Sequence, residues 1–160
     1  IAEFRRAKDA KVWIEDRRLW ISQEKTGAKV RLPLELRLDA LGWSLDEVVK
    51  RCRDDVVSRY LIHHVRNYNR AAPGDAVHVD TLSRAFGDAR RLSGLTWPAI
   101  DEQGKPQTPP TFHEIRSLAA RLYDEQGGID VQVLLGHRDP KTTAIYKDSR
   151  GAEWTELKLA

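Results

Sequence analysis

A chain of 160 residues is about the size of one ordinary domain, and its 41% hydrophobic and 32% charged residues are the proportions of a globular protein with a single core. No apolar run reaches the ~20 residues that a membrane-spanning helix requires, and the single cysteine, Cys52, excludes an internal disulfide or a Cys-rich metal site and favours a reducing, cytoplasmic setting. Lys and Arg outnumber Asp and Glu by 27 to 24, an excess of 3 that does not by itself separate a nucleic-acid binder from other basic proteins, because where the basic groups face matters more than their sum.

The chain opens at Ile1 and contains no methionine; Ile1-Ala2-Glu3-Phe4-Arg5-Arg6-Ala7 reads as the back half of a helix, so the sequence is expected to be a fragment. Apolar and polar residues then alternate over 12–15 and 19–22 around Glu15-Asp16-Arg17-Arg18. A third apolar stretch, 30–32, follows the Lys25-Thr26-Gly27 turn, which predicts a small antiparallel sheet. Pro33 stands where a helix can start, and Leu34, Leu38 and Leu41 recur at helical spacing before Gly42, predicting a helix there. A second helix is expected after Ser44, with Glu47 completing a capping box and Leu45, Val48, Val49 and Cys52 forming the buried stripe.

Residues 67–76 are polar and broken by Pro73 and Gly74, hence a loop. Asp80 is placed to cap a helix carrying Leu82, Phe86, Ala89 and Leu92 that ends near Gly94. Pro98, Pro106, Pro109, Pro110 and Gly104 predict an irregular surface connection. Thr111 is placed to cap the next helix, which carries His113, Arg116, Leu118, Leu122 and Tyr123 as far as Gly127-Gly128; two short helices follow at 130–135 and 141–146. Trp154, Leu157 and Leu159 partly alternate with Glu156 and Lys158, which suggests a final short strand. The fold class is therefore mainly α with a small antiparallel β-sheet, an α+β domain, with no internal repeat or low-complexity segment.

His113 and Arg116, three apart in Thr111-Phe112-His113-Glu114-Ile115-Arg116, share one helix face and can converge on one ligand. Arg116 offers a planar fork for two phosphate oxygens, which a lysine cannot reproduce. Taken alone, this spacing describes many solvated helix faces, or an ion pair with a neighbour such as Glu114. In Leu134-Leu135-Gly136-His137, a glycine closing a short apolar helix suits a positive-φ turn and leaves the imidazole projecting beyond the helix end. Tyr146, alone, reads as a half-buried core aromatic. Together a guanidinium fork, two imidazoles and a phenol make a phosphodiester-handling site that needs no metal. A metallohydrolase built from His63, His64, His78, His113 and His137 is disfavoured, because no carboxylate accompanies them at ligand spacing and adjacent His63 and His64 cannot both face one ion on a regular strand.

The order His-x-x-Arg, Leu-Gly-His and then Tyr146 resembles the tyrosine recombinases, specifically the lambda-type phage integrases. The likeness extends through Gln23-Glu24-Lys25-Thr26-Gly27-Ala28-Lys29, Arg138-Asp139-Pro140-Lys141-Thr142-Thr143 and Asp148-Ser149-Arg150-Gly151-Ala152-Glu153-Trp154, and so covers nearly the whole chain. It implies a DNA breaking-rejoining catalytic core over residues 1–160, truncated at its N-terminus, with upstream DNA-binding domains absent. It implies an enzyme of site-specific recombination, phage or prophage integration and excision, acting by transesterification through a 3′-phosphotyrosyl intermediate without a cofactor. The catalytic residues carried over are Tyr146 as nucleophile, Arg116 and His137 as stabilisers of phosphorane charge, His113 as general base and Lys25, in the hairpin turn, as the acid for the departing 5′-oxygen.

The resemblance further implies double-stranded DNA attachment sites as partners, a homotetramer on DNA with a monomer when free, no membrane, and residence with the nucleoid of a bacterial host. The tail after Tyr146 is a candidate interaction arm, or else folds back on its own core. Arg84, Arg90, Arg91, Arg121, Arg138 and Lys141 are available for backbone contacts. The family's first arginine belongs to a Gly-x-Arg segment that would precede Ile1; Arg5 and Arg6 lie too late to match it, so the fragment alone is expected to cleave poorly. The rival readings are a non-catalytic DNA-binding integrase relic and a type IB topoisomerase, against which the His-x-x-Arg and Leu-Gly-His pairing argues.

Overall fold

The computed structural model describes residues 1–24, 26–101 and 104–147, so Lys25 and the tail residues Trp154, Leu157 and Leu159 lie outside the described residues. Strands β1 (Val12–Glu15), β2 (Arg18–Ser22) and β3 (Lys29–Pro33) form the expected antiparallel meander in the order β1-β2-β3. Its register opposes Ile14 to Leu19 and Leu19 to Leu32, so the alternation of side chains gathers Val12, Ile14, Leu19, Ile21, Val30 and Leu32 on one face. Val30 is buried there. On the other face Trp13 and Trp20 stack at 5.8 Å, with Arg6 over the first ring and Arg31 over the second. The β1–β2 connection is a two-residue turn with Asp16 and Arg17 at φ 49° and 54°, the backbone that matches strand twist in a tight hairpin.

Two sequence expectations fail in this half. The opening residues are extended, not helical: Glu3 exchanges backbone hydrogen bonds with Val12 and Ile14, Phe4 donates to the Arg59 carbonyl and Leu61 to that of Ala2. The Glu3 carboxylate is buried and gripped by the Arg59 fork through Nε at 3.0 Å and Nη2 at 2.8 Å, which holds Arg59 above its usual pKa. The helix expected from Pro33 is instead a turn and a hairpin, β4 (Arg37–Leu38) with β5 (Trp43–Ser44). Pro33 closes β3 opposite Arg18, and the amide of Leu34 donates to the Arg17 carbonyl. Leu34 and Leu38 are buried, as a helix would also require, but Leu41 is 67% exposed. The spacing of Leu34, Leu36 and Leu38 fits extended backbone equally well.

Helix α1 (Leu45–Arg51) begins at Ser44 with the reciprocal Ser44–Glu47 capping box; of its expected stripe Val49 is buried and Val48 is exposed. Helix α2 (Val79–Leu92) is capped by His78, whose Nδ1 accepts from the Asp80 amide, and not by Asp80, which lies inside the first turn. Residues 67–76 and the described part of the proline-rich connection after α2 lie outside any helix or named strand, as expected. Helices α3 (Glu114–Gln126), α4 (Val131–Leu135) and α5 (Pro140–Lys147) pack against one another, with β3 against α4 and β4 against α3. Their shared core is Leu38, Ala120, Tyr123, Val131 and Leu135, flanked by Leu36, Leu122, Ile129, Leu134 and Tyr146.

Candidate active site

Helix α3 is entered through a turn in which Glu114 accepts from the amide and hydroxyl of Thr111, while the Glu114 amide returns to the Thr111 carbonyl. Thr111 therefore braces the turn, and the residue at the helix cap is His113, whose side chain makes no capping hydrogen bond and is exposed. The Arg116 amide donates to the His113 carbonyl at 3.1 Å, which places both residues in one turn. The Arg116 side chain is half-buried and reaches across to the end of α4, where its Nη2 donates to the Leu135 carbonyl at 2.6 Å and stands 3.4 Å from His137 Nε2.

The end of α4 is built to present His137. Asp130 caps the helix start by accepting from the Val133 amide, and the helix stops at Gly136, left-handed at φ 66°, ψ 32°. Glycine is needed there twice over: the conformation disfavours a side chain, and a Cβ would fall 2.5 Å from Gln23 Nε2. The turn aims the His137 ring between Arg116 and α5. Its Nδ1 lies 3.0 Å from the Thr143 hydroxyl, and its ring centroid is 5.0 Å from that of Tyr146 at 45°. The Arg116 guanidinium lies 5.5 Å from the Tyr146 ring centroid. Burial, and then the positive charge of Arg116, push the His137 pKa below its usual value, since both disfavour a second cation in this space. Lys147 pairs with Asp124, tying the end of α5 back to α3.

Three of the expected site residues, Arg116 on α3, His137 just past the end of α4 and Tyr146 on α5, are thus in contact. His113 stands one turn before Arg116 on the same helix, and Lys25 lies outside the described residues. Two contributors escaped the reading of the sequence. Gln23 donates from Nε2 to the same Leu135 carbonyl that Arg116 uses, at 3.0 Å, while its Oε1 accepts from Thr26 at 2.7 Å. It links the β2–β3 turn to the site across 112 positions of sequence, a distance at which local pattern carries no signal. Thr143, 4% exposed, was legible in principle, since it stands three residues before Tyr146 and shares its helix face.

Of the basic residues offered for DNA, Arg84 reaches Thr81, Arg90 donates to the Pro110 carbonyl and Arg91 pairs with Asp88. Arg138 and Lys141 are exposed beside the site, and the position a Cβ would take on Gly27 is 3.8 Å from Arg138 Nη2, which puts that guanidinium at the β2–β3 turn. The remaining histidines are dispersed: His63 is held between the Tyr60 carbonyl and Asp54, His64 stacks on Tyr68, and His78 caps α2. Among the described residues no group of three or more His, Cys, Asp or Glu is placed to hold a metal ion, and no helix is long and apolar enough to cross a membrane.

An arginine, a histidine and a tyrosine meeting at the junction of three helices beside a small sheet is the architecture of a lambda-type tyrosine recombinase core. The phage integrase family profile matches residues 1–153, and the chain belongs to that family. It is similar to the integrase of Enterobacteria phage P21, 48% identical over 155 residues, covering 96% of this chain and 38% of that protein. It is also similar to the prophage integrase IntE of Escherichia coli strain K12, 44% identical over 159 residues, covering 99% of this chain and 40% of that one. Its fold is similar to a lambda integrase dimer bound to a COC′ core site, with TM-score 0.73 and 36% identity over 92% of this chain and 38% of that chain. Against the lambda integrase catalytic core the TM-score is 0.64, at 38% identity, over 78% of this chain and 67% of that one. The chain spans about two-fifths of the length of these integrases, 38% and 40%.

Proposed function

We propose that this chain is the tyrosine-bearing part of the catalytic domain of a site-specific recombinase that integrates and excises phage or prophage DNA. The observation that carries the reading is the convergence of Arg116, His137 and Tyr146, with His137 Nε2 at 3.4 Å from the guanidinium and its ring against the phenol. In this reading the Tyr146 oxygen attacks the scissile phosphorus; a phosphorus–tyrosine bond forms, the bond to the 5′-oxygen breaks, and a 3′-phosphotyrosyl intermediate and a free 5′-hydroxyl result. In this reading the phenol proton goes to His113, whose exposed side chain stands at the start of α3. Lys25 supplies the proton to the departing oxygen; Gln23 and Thr26 on either side of it are tied to each other, and Gln23 to α4. Arg116 and His137 balance the charge of the phosphorane. The phosphodiester energy is kept in the covalent link, so the return step needs only the attacking hydroxyl of a second strand.

The substrate in this reading is a double-stranded attachment site in the nucleoid of a bacterial host, bound by a tetramer; among the similar structures is a lambda integrase tetramer on a Holliday junction. Residues 1–160 correspond to about two-fifths of the length of the P21 and IntE integrases, and in this reading the family's first arginine and the DNA-binding domains belong to the remainder of such a protein. Arg6 does not substitute for that arginine, being stacked on Trp13 in the sheet. The test is to incubate the full-length protein with a nicked attachment-site duplex and to map any covalent adduct after a denaturing gel. An adduct on Tyr146 that vanishes in Tyr146→Phe, with DNA affinity kept, is the expected result. Salt-sensitive binding with no adduct would instead identify a DNA-binding relic.

A further inference from the structure

The Arg116–His137 contact constrains which imidazole nitrogen carries the proton. A guanidinium has only N–H donors and no acceptor, so the Nε2 that faces Arg116 Nη2 at 3.4 Å must offer a lone pair. The hydrogen of the neutral ring then sits on Nδ1 and points at the Thr143 hydroxyl oxygen 3.0 Å away. The reverse assignment, with Thr143 donating to Nδ1 and a hydrogen on Nε2, would set two donors against each other. Thr143 is 4% exposed and stands on α5 three residues before Tyr146, so the helix that brings the phenol to the site is the same helix that receives the Nδ1–H.

We infer that Thr143 is a positioning residue that pins the His137 proton on Nδ1 and so leaves Nε2 as the one atom of the ring facing Arg116 and an incoming phosphate. The consequence is a division of labour within the imidazole. Nε2 accepts from Arg116 and steadies the guanidinium. When a phosphate oxygen enters, the ring gains a donor toward it by taking up a proton from water at Nε2, because Nδ1–H is already committed to Thr143; the ring need not flip. The groups facing His137 in this step are Arg116 from α3 and Thr143 and Tyr146 from α5, together with the Gln132 amide at its carbonyl. Because Thr143 and Tyr146 ride on one helix, an α5 that moves away from the site withdraws the nucleophile and releases the imidazole together.

This inference rests on the recombinase reading for its catalytic consequence but not for its structural content. The experiment reads the two separately in the full-length protein. Nitrogen-15-labelled histidine spectra near pH 8 report the neutral tautomer of His137, assigned by its loss in His137→Gln, and cleavage of the nicked duplex reports the rate. The wild type and Thr143→Ser should show the Nδ1–H form. Thr143→Val, nearly isosteric and so keeping the packing of α5, should lose that preference and form the Tyr146 adduct roughly two- to tenfold more slowly, the worth of one net hydrogen bond, at unchanged DNA affinity. Thr143→Ser should restore the rate. A wild type in the Nε2–H form, or a Thr143→Val that keeps both the Nδ1–H form and the full rate, overturns the assignment. Spectra as expected with no adduct in any variant would leave the tautomer assignment standing and overturn the recombinase reading.

Discussion

Helices α2 and α3 are nearly equal in length, 14 and 13 residues, and both carry an apolar stripe, yet they have opposite fates. Helix α3 buries Ala120 and Tyr123 against α4, α5 and the β4 strand, while α2 buries no residue among those described and leaves Leu92 87% exposed. What holds α2 is peripheral: Phe86 lies 5.9 Å from Phe112, and Arg90 lies over Trp97 while bonding the Pro110 carbonyl. Amphipathic pattern states that a helix can offer a face; it does not state which surface receives it. The expected site residues follow the packing. Arg116 and Tyr146 stand on α3 and α5, and His137 just beyond the end of α4, in a triangle where every helix touches the other two, so each side chain is anchored by packing on both sides.

The largest expected effect tests whether the triangle is catalytic as well as compact. Arg116→Lys keeps the charge but loses the planar fork and the hydrogen bond to Leu135. Adduct formation on the nicked duplex should fall by roughly 10²–10³, as when one preorganised donor is removed from a transition state, with the melting temperature little changed. Arg91→Lys on α2 should leave the rate within about twofold, since that side chain is engaged with Asp88 on the surface and its change is of the mild surface kind. Equal losses from both would dissolve the distinction between the two regions.

Next in size is a stability contrast. Leu135→Ala removes a side chain only 5% exposed at the centre of the triangle and should cost about 2–5 kcal/mol in urea unfolding, because a cavity is left that α3 and α5 cannot fully close. Leu92→Ala on α2 should stay within about 0.5 kcal/mol. A smaller and sharper pair is Gly136→Ala against Gly94→Ala. Both glycines have left-handed φ, 66° and 72°, so both substitutions carry backbone strain of roughly 1 kcal/mol. Only at Gly136 does the new Cβ also meet a neighbour, Gln23 Nε2 at 2.5 Å, so that variant should be the less stable of the two and should also loosen the β2–β3 turn from the site. Equal unfolding free energies would mean that Gln23 swings aside at no cost and is not a tie.

These contrasts also mark what local sequence carries. The Ser44–Glu47 capping box and the three strands were legible because each depends on neighbours a few positions away. Arg116, His137 and Tyr146 were legible by motif order, and the structure places them in contact. Residues 33–42 misled because Leu34 and Leu38 satisfy a helical and an extended spacing at once, and the tie was broken by hydrogen bonds to Arg17 and across to Leu45, which no window of that length contains. The opening residues misled for the same reason, their partners being Val12 and Arg59. The cap of α2 fell to His78, two positions before Asp80, by a choice between adjacent polar side chains that propensity does not resolve. Gln23 was visible only as part of a resemblance; its bond to Leu135 is a product of the fold.

The smallest expected effect is a pH dependence confined to the triangle. The folded state holds the His137 pKa below the ordinary 6.5, first through burial and then through Arg116. Well above 6.5 the ring is neutral in both folded and unfolded chains and contributes no pH dependence. As the pH falls below 6.5 the unfolded chain takes up a proton that the folded site resists, so unfolding is favoured and stability declines until the folded pKa is passed. Urea unfolding at pH 7.5 and 5.5 should therefore show a larger loss for the wild type than for His137→Gln, which has no proton to take up. Inorganic phosphate at the lower pH should narrow the difference, because an anion beside Arg116 favours the charged ring and lifts the folded pKa back toward its ordinary value. The same salt should not alter the response of His137→Gln by that route. A wild type and variant that lose stability in parallel would show that the imidazole exchanges protons freely with water, and that the contact with Arg116 does not set its state.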